Sequence, residues 1–440
     1  MMRESGIRWL RRLTSLLVGL LLLQVEPGAA QISAENFAKL GFNFSPPGAR
    51  STALGGAFIP LADDATAAET NPAGLTVLLY PQISFEFKGV EYIRELDAET
   101  GGGVEGKEFT DKVALPSFAS LVLPLGSALR LAAFRHELVN YRNTVWTAGV
   151  DISGLGPDYG YLFPYTSELD LRVQNYGGAF ALKMGPLSIG AAGGGSILDM
   201  DVDFTRYSVP RYERGFQANR LIMDSEDGGH GTGYFVNGGV LLRLGERASL
   251  GAVYRLRPKF EDLTFSFVDV DSVTEGEPDT VTVKIPDAIG AGLSFRPHNL
   301  VTFSFAGVLN KYSQLAENMN VAYYCNADIQ PDPSDFKADD DFDLHAGMEV
   351  VLLMGGAPVG LRGGVARIAP SNTYYKPDAG NPTDPCLQQI WGTEPGDYDT
   401  QITAGLGTVL FRRLQFDVAA LAGNDRREVI ASVVFFFGRQ

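Results

Sequence analysis

Apolar and polar residues alternate along most of this chain, which is the pattern of half-buried β-strands. In the first such run Ile83, Phe85 and Phe87 share one face, while Ser84 and Glu86 share the other. Similar runs recur to the end of the chain and predict fourteen strands, with spans near 82–92, 114–123, 129–140, 168–184, 187–205, 231–244, 248–267, 281–295, 300–310, 341–354, 359–367, 398–411, 414–423 and 429–438. Short turns alternate with long polar connections between the runs, as in outer-membrane β-barrels.

A barrel of this kind has to close. Within hydrocarbon every backbone N–H and C=O group needs a partner, and an open sheet edge would leave a row of them unpaired. We therefore expect the last strand to pair with the first. The fourth strand changes parity near Asn175, which predicts a β-bulge there. The third strand, which contains Arg135-His136-Glu137, is the alternative place for a kink.

Composition agrees with a barrel. Only 20% of the residues are charged, the mean hydropathy is +0.01, and 51 of 440 residues are glycine. The first thirty residues combine a basic start, an apolar run from Leu13 to Leu23 and small residues before Gln31, which predicts a secretory signal peptide. After Leu23 no apolar run approaches the ~20 residues that a transmembrane helix needs. The mature chain is therefore expected to leave the cytoplasm.

Residues 48–75 read GARSTALGGAFIPLADDATAAETNPAGL and are too small to form a core of their own. The residues that shape this stretch are Gly55, Gly56, Asp63, Asp64, Asn71, Pro72 and Ala73. The glycines allow close backbone approach or a positive φ. The aspartates can accept hydrogen bonds at the start of a short helix, which the proline then ends. Such a segment needs a wall around it, as a plug or lid does.

This stretch resembles the hatch signature of the FadL/TodX family, the outer-membrane transporters of long-chain fatty acids and aromatic hydrocarbons. The resemblance rests on A-R-S-x-A-L-G-G-A-F, A-D-D-A-T-A and N-P-A-G-L in this order, with weaker echoes at Ile285-Pro286-Asp287 and Leu361-Arg362-Gly363-Gly364. It implies an all-β, transmembrane antiparallel β-barrel of about 14 strands with an N-terminal hatch inside the lumen. The expected organisation is a signal peptide over 1–30, a hatch or plug over 31–80 and a barrel over 81–440.

The resemblance also implies a function. It suggests passive transport of a hydrophobic small-molecule ligand, a long-chain fatty acid or a related lipid or hydrocarbon, by a multi-pass protein of the bacterial outer membrane that barrel-insertion machinery places there. In this family a kinked strand opens a lateral gap, so the ligand would leave sideways into the bilayer after the hatch moves near Gly55-Gly56 and Asn71-Pro72. The alternative is a PorV-like barrel that does not transport and serves as a secretion or surface-attachment accessory. A soluble secreted all-β protein is a third possibility.

The net charge of −16 collects in loop-like segments, at 269–279, 328–343 and 378–399. This acidity disfavours a nucleic-acid partner, which would need basic patches. The alternation assigns twelve charged residues to the lumen: Glu86, Lys88, Asp170, Arg172, Arg243, Arg255, Arg257, Asp343, His345, Glu349, Arg362 and Asp417. Most should pair with one another, but Arg255, Arg257 and Arg362 are candidates to bind a ligand carboxylate. We also predict Phe58 of the hatch as a ligand contact.

Cys325 and Cys386 fall in consecutive long loops on the same predicted side of the barrel. An oxidising compartment favours a disulfide between them, and two unpaired loop thiols are the alternative. Two cysteines and four scattered histidines do not supply the ligands of a metal site. The sequence contains no Ser, His and acid grouping at a recognisable spacing and no phosphate loop. We therefore predict neither an enzyme nor a cofactor.

Overall fold

The computed structural model describes residues 42, 44, 46–96, 107–147, 150–151, 161–162, 165–207, 221–265, 268–269, 274–275, 279–316, 332–354 and 357–437. The predicted signal peptide lies outside these residues. The helices are α1 (Ala49–Ala53), α2 (Ala67–Thr70) and α3 (Pro385–Trp391), with 3-10 helices over Pro72–Val77, Tyr312–Leu315 and Pro333–Asp335. None of the helices in the described ranges is long and apolar enough to cross a bilayer.

Fourteen strands form one antiparallel barrel. They are β1 (Gln82–Leu96), β2 (Lys107–Leu125), β3 (Leu129–Thr147), β6 (Tyr165–Met184), β7 (Leu187–Tyr207), β8 (Leu221–Leu244), β9 (Ala248–Leu256), β14 (Ala288–His298), β15 (Val301–Asn310), β17 (Asp341–Met354), β18 (Ala357–Ile368), β20 (Asp399–Leu410), β21 (Leu414–Ala422) and β22 (Arg426–Phe436). Eight shorter strands lie in the long connections: β4 (Val150–Asp151), β5 (Tyr161–Leu162), β10 (Lys259–Phe265), β11 (Val268–Asp269), β12 (Thr274–Glu275), β13 (Asp279–Lys284), β16 (Phe336–Lys337) and β19 (Tyr374–Tyr375).

The barrel closes between its first and last strands. β1 pairs with β22 from Gln82↔Phe436 to Tyr92↔Arg426, and every other barrel strand pairs with its neighbours along the chain. The expected fold class, the strand number and the closure are therefore confirmed. The pairing of β1 with β22 removes the open edges that these two strands would otherwise present to a surrounding hydrocarbon phase.

The alternation of the sequence is also confirmed by burial. On β1 the polar residues Ser84 and Glu86 are buried in the interior, whereas Phe85 and Phe87 are 54% and 63% exposed. Large apolar side chains cover the outside of the other strands in the same way, among them Phe180, Tyr234, Leu293, Phe305, Phe342, Leu344, Leu406 and Phe435. The outer surface is thus an apolar band, called the greasy belt below, and the inner surface is polar and filled with side chains.

Two predicted strands are shorter in the barrel than expected. The span 248–267 divides into β9 and β10, and the span 281–295 divides into β13 and β14. Pro258 and Pro286 lie at the two breaks, and proline cannot donate to a β-ladder. Beyond these breaks β10 and β13 pair with each other as a separate hairpin.

The bulge predicted near Asn175 is wrong. β6 pairs with β7 without a register shift along its whole length, and its odd-numbered residues face inward throughout. What changes near Tyr176 is the chemistry of the two faces. Towards the turn at Gly185-Pro186 the apolar residues face outward, but towards the long loops the apolar residues face inward.

This inversion corrects two lumen assignments. Leu169 and Leu171 are buried in an interior apolar cluster, so the alternating Asp170 and Arg172 lie on the outside of the wall, with side chains 27% and 42% exposed. The strand therefore extends past the greasy belt into water, where charged residues face outward and the interior is packed beneath the loops.

Candidate functional site

The N-terminal segment, residues 46–80, lies inside the barrel and is called the inner segment below. α1 contacts β18, β20, β21 and β22, and the 3-10 helix Pro72–Val77 contacts β3, β6, β7 and β8. Side chains of the wall hold its backbone. Arg130 Nε donates to the Leu78 carbonyl at 2.6 Å, and Ser249 Oγ donates to the Pro60 carbonyl at 2.6 Å. The segment thus crosses the lumen and touches most of the wall.

Glycines on both sides allow this close packing. Gly55 and Gly56 have φ values of 65° and 82°, which glycine adopts without strain. A Cβ atom at Gly347 would overlap with the Leu54 carbonyl, and one at Gly364 would overlap with the Gly55 backbone. The inner segment therefore lies directly on the backbone of β17 and β18.

The remaining hatch-motif residues make local hydrogen bonds. Asp64 Oδ1 accepts from the Thr66 amide at 2.9 Å, one residue before α2. Asn71 Nδ2 donates to the carbonyl oxygens of Ile59 at 3.0 Å and Val240 at 3.2 Å, and its Oδ1 accepts from Ala73 N at 3.2 Å. Asn71 therefore ties the segment to itself and to β8.

A chain of buried ion pairs fastens α1 to the wall. Arg50 donates to both carboxylate oxygens of Glu349, at 3.0 and 2.9 Å, and also pairs with Asp63. Arg362 in turn donates to Glu349 at 2.7 Å and to Asp417 at 2.5 Å. The Glu349 carboxylate thus accepts from two arginines, through both oxygens from Arg50 of the inner segment and through Oε1 from Arg362 of β18.

A central cavity lies between the inner segment and the wall towards the long loops. Its lining residues are Phe44, Pro46, Pro47, Gly56, Ile59, Glu69, Thr70, His136, Leu138, Arg255, Arg257, Val308, Asn310, Asp343 and His345. The lining is mixed. Apolar groups and Gly56 supply part of it, and two arginines, two acids, two histidines, Thr70 and Asn310 supply the rest.

The two arginines have different surroundings. Arg255 donates to the Thr70 carbonyl at 2.7 Å. Arg257 donates to the Pro286 carbonyl at 2.8 Å, and the ring of Phe44 covers its guanidinium at 3.6 Å. A cation held over an aromatic face is stabilised by the ring quadrupole. Both guanidinium groups therefore lie in a largely buried place, and each has a backbone carbonyl as a partner.

Several buried polar atoms of this cavity have no hydrogen-bond partner among the described residues. They are Arg257 Nε, Glu69 Oε2, Thr70 Oγ1 and His136 Nδ1. His136 Nδ1 lies 3.7 Å from Glu69 Oε1, beyond hydrogen-bond range. Burial raises the pKa of the Glu69 carboxyl, a shift that the charge on Arg255 opposes. Buried polar groups normally have partners, so this lining suits a ligand with a polar end.

The wall itself opens between β2 and β3. Their ladder runs from Leu125↔Leu129 only as far as Phe118↔His136. Beyond that point the described parts of the two strands continue to pair with β1 and β6 but not with each other. Both strands are irregular at this level. β2 carries an extra residue, Ser117, and β3 shifts register between Glu137 and Val139.

The kink that the sequence left open between two strands therefore lies in β3, with a matching bulge in β2. Pro116, beside the β2 bulge, lacks an N–H group and is found typically at edges and bulges. The opening is bridged further up, where the Thr144 amide donates to Asp111 Oδ2 at 3.0 Å. The opening is thus bounded below by the β2–β3 ladder and above by this hydrogen bond, and it is called the wall slot, or the slot, below.

A second cavity lies at this slot and is called the side pocket. It is lined by Lys88, Val90, Tyr92, Leu115, Ser117, Glu137, Leu138, Asn140, Arg426 and Glu428. Lys88 Nζ lies 4.0 Å from Glu428 Oε2, and Arg426 Nη1 lies 2.7 Å from Glu428 Oε1. The pocket behind the slot is therefore polar and charged.

The outward-facing residues around the slot show where it lies relative to the greasy belt. Phe87 on β1 and Tyr176 on β6 are exposed at the level where the slot begins. Above this level the outward residues are charged, as in the exposed pair of Glu91 and Lys112 at 3.0 Å. The slot therefore opens at the upper rim of the greasy belt, where the head groups of a surrounding bilayer would lie.

The four predicted ligand contacts fall in three places. Arg255 and Arg257 line the central cavity together. Phe58 packs with Leu54 and Leu61 inside the inner segment, and Arg362 belongs to the ion-pair chain, so neither lines the cavity. The sequence pattern does not mark Glu69, His136 or Leu138 as residues of a ligand site. Cys325 lies outside the described residues, and so the disulfide stays a prediction.

Comparisons with solved structures identify the fold. The toluene transporter TbuX of Ralstonia pickettii shares 14% identity, with coverage of 90% of this chain and 100% of that one and a TM-score of 0.55. A FadL homologue of Pseudomonas aeruginosa shares 13%, with coverages of 91% and 100% and a TM-score of 0.57. The toluene transporter TodX of Pseudomonas putida shares 12%, with coverages of 90% and 100% and a TM-score of 0.55.

These likenesses confirm, at the level of the fold, the resemblance drawn from the hatch signature. No model of a known protein family matches the chain, and no curated protein matches it either.

Proposed function

We propose that this protein is a bacterial outer-membrane transporter that passes hydrophobic or amphiphilic small molecules through a plugged barrel without an energy source. The main observation behind this proposal is the wall slot. The side pocket lies behind the slot, and the central cavity lies beside it. The greasy belt fits a bilayer, and the inner segment fills the direct path through the lumen. The slot then offers a sideways path between the cavity and the bilayer.

The inner segment acts as the plug in this proposal. Gly55 and Asn71, which the sequence suggested as hinge points, are packed against strand backbone. We therefore place the moving part upstream, around Phe44, Pro46 and Pro47, which line the central cavity. A ligand would enter from the long loops past these residues.

The test is uptake of radiolabelled oleate by a bacterial strain that lacks its own fatty-acid transporter. Cells that make this protein are expected to take up oleate faster than cells that make the empty vector. The same preparation, purified in mild detergent, is expected to retain a small amphiphile detectable by mass spectrometry. An absence of uptake, together with co-purification of a secretion component, would favour the accessory role instead.

The finer part of the proposal is a preference for ligands with an anionic end. Arg255 and Arg257 are buried beside orphaned polar atoms, and guanidinium groups bind carboxylates through charge-assisted hydrogen bonds. A hydrogen bond to a charged group contributes about 1.5–3 kcal/mol, which corresponds to roughly 10–100-fold in affinity. A neutral hydrocarbon would gain nothing from it.

The variants Arg255→Gln and Arg257→Gln are expected to weaken oleate binding by roughly tenfold or more each. Binding of a neutral probe such as dodecane should change little. The matched control is Arg243→Gln, since Arg243 also faces inward but does not line the central cavity. Tryptophan-fluorescence titration in detergent gives the affinities. Equal losses for oleate and dodecane would contradict the anionic preference.

A further inference from the structure

The central cavity and the side pocket meet at one residue. Of the described residues that line the two cavities, only Leu138 lines both. Its neighbours along β3 divide between the two spaces: His136 lines the central cavity and Glu137 lines the side pocket. The chain therefore crosses from one cavity to the other at this point.

The β3 bulge explains this position. Along β3, Phe134 and His136 are buried before the bulge, and Val139 and Tyr141 are buried after it. Parity thus changes from even to odd, and Leu138 is the extra residue that has no partner in the ladder to β6. Because it is extra, its side chain is buried next to that of Val139 instead of pointing to the opposite face.

The chemistry of Leu138 differs from that of both linings. Charged groups line both of the cavities that it borders, with Glu69 and Arg255 in the central cavity and Lys88 and Glu428 in the side pocket. Leu138 itself is 8% exposed and belongs to the interior apolar cluster with Val90 and Tyr92. An apolar barrier between two polar spaces resists ions and water, but an alkyl chain can pack against it without losing hydrogen bonds.

We propose that Leu138 is the gate of the lateral route, and that the size of its side chain sets how fast a ligand passes from the central cavity to the side pocket. This inference rests on the proposed transport function. It adds a specificity-determining residue: the part of the ligand that crosses the gate is its apolar chain, and the slot then delivers the ligand at head-group level.

The test replaces Leu138 by residues of different size. Leu138→Trp is expected to reduce the initial rate of oleate uptake by about tenfold or more, which is about 1.4 kcal/mol on the barrier. Oleate affinity in detergent is expected to change much less than the uptake rate, because the two arginines are untouched and Leu138 is only one of the residues that line the central cavity. Leu138→Ala is expected to transport at least as fast as the unmodified protein. Val139→Ala is the matched control, since Val139 is the buried neighbour that lines neither cavity.

A reversible block checks the same idea without a bulky substitution. Leu138→Cys is treated with alkyl methanethiosulfonates of increasing chain length, and uptake is expected to fall with chain length and to recover after reduction. Unmodified protein treated in the same way controls for Cys325 and Cys386. Heat-modifiable migration in gels reports whether each variant folds.

The outcomes separate the two proposals. If the unmodified protein takes up oleate and a folded Leu138→Trp variant does so equally fast, the gate is overturned and the transport function stands. If the block at Leu138→Cys has no effect, the gate is likewise overturned. If the unmodified protein shows no uptake, the transport function fails, and the gate fails with it.

Discussion

Deletion of residues 31–75 is expected to convert the barrel into an open, non-selective pore. The reason is geometric. Barrels of about eight strands are filled by their own side chains, whereas those of 16–18 strands leave an aqueous channel. A barrel of fourteen strands lies closer to the second case, and here the inner segment occupies its interior. Without this segment the polar inner faces of the strands would line water.

The measurement is conductance across planar bilayers. The deletion variant should show steady step currents, and the full-length protein should stay mostly closed. The matched control replaces residues 31–75 by a Gly/Ser-rich segment of equal length, which keeps the chain length but lacks the apolar side chains and the ion pairs of the inner segment. It should conduct as well. A folded deletion variant that stays closed would show that something other than the inner segment seals the lumen.

Much of this fold could be predicted, because the alternation of apolar and polar residues along a strand can be read from the local sequence without knowledge of the neighbouring strands. Phe85 and Phe87 lie outside, and Ser84 and Glu86 lie inside, because a strand between lipid and lumen has no other stable arrangement. Closure followed from the need to pair every backbone group in hydrocarbon. The sequence pattern does not predict the two breaks at Pro258 and Pro286, because the apolar pattern continues past both prolines into a hairpin that pairs separately from the barrel sheet.

The wall slot could not be assigned for a different reason. The parity change that the sequence suggested on β6 is an inversion of face chemistry, and it marks where the strand leaves the greasy belt. The real bulges lie in β2 and β3, where the signal was weaker: Phe134 and His136 share one parity, and Tyr141 shows the other. A single sequence cannot distinguish a slip of register from a change of surroundings, because both alter the pattern in the same way.

The sequence predicts only some of the residues of the site. The alternation of the strand assigns Arg255 and Arg257 to the interior, and the structure confirms that both are buried there. Parity does not report partners, however, and Arg362 proved to be held by two acids. The remaining cavity groups, such as Glu69 and His136, come from separate parts of the chain. Only the closed barrel brings them together, so no local pattern marks them.

The ion-pair chain that holds α1 leads to the last prediction, which concerns stability. Glu349 bonds to both Arg50 and Arg362, with nitrogen–oxygen distances from 2.7 to 3.0 Å, and its side chain is 6% exposed. Removal of one partner from a buried charge pair costs about 3–5 kcal/mol, because the other charge stays buried without compensation. Glu349→Ala would leave Arg50 with Asp63 and Arg362 with Asp417 as their remaining partners, so we expect a loss at the lower end of this range.

Glu349→Gln should cost less than Glu349→Ala, because an amide oxygen still accepts one hydrogen bond. The measurement is the free energy of unfolding by guanidinium in lipid micelles, with gel mobility as the readout. The control is Glu261→Ala, since Glu261 forms an exposed pair with Lys259 at 2.7 Å and such pairs contribute about 0–1 kcal/mol. The alanine variant should also conduct intermittently, because Arg50 connects the inner segment to the wall through this carboxylate. A Glu349→Ala barrel as stable and as closed as the control would mean that the packing of the inner segment on strand backbone, rather than its ion pairs, keeps the lumen shut.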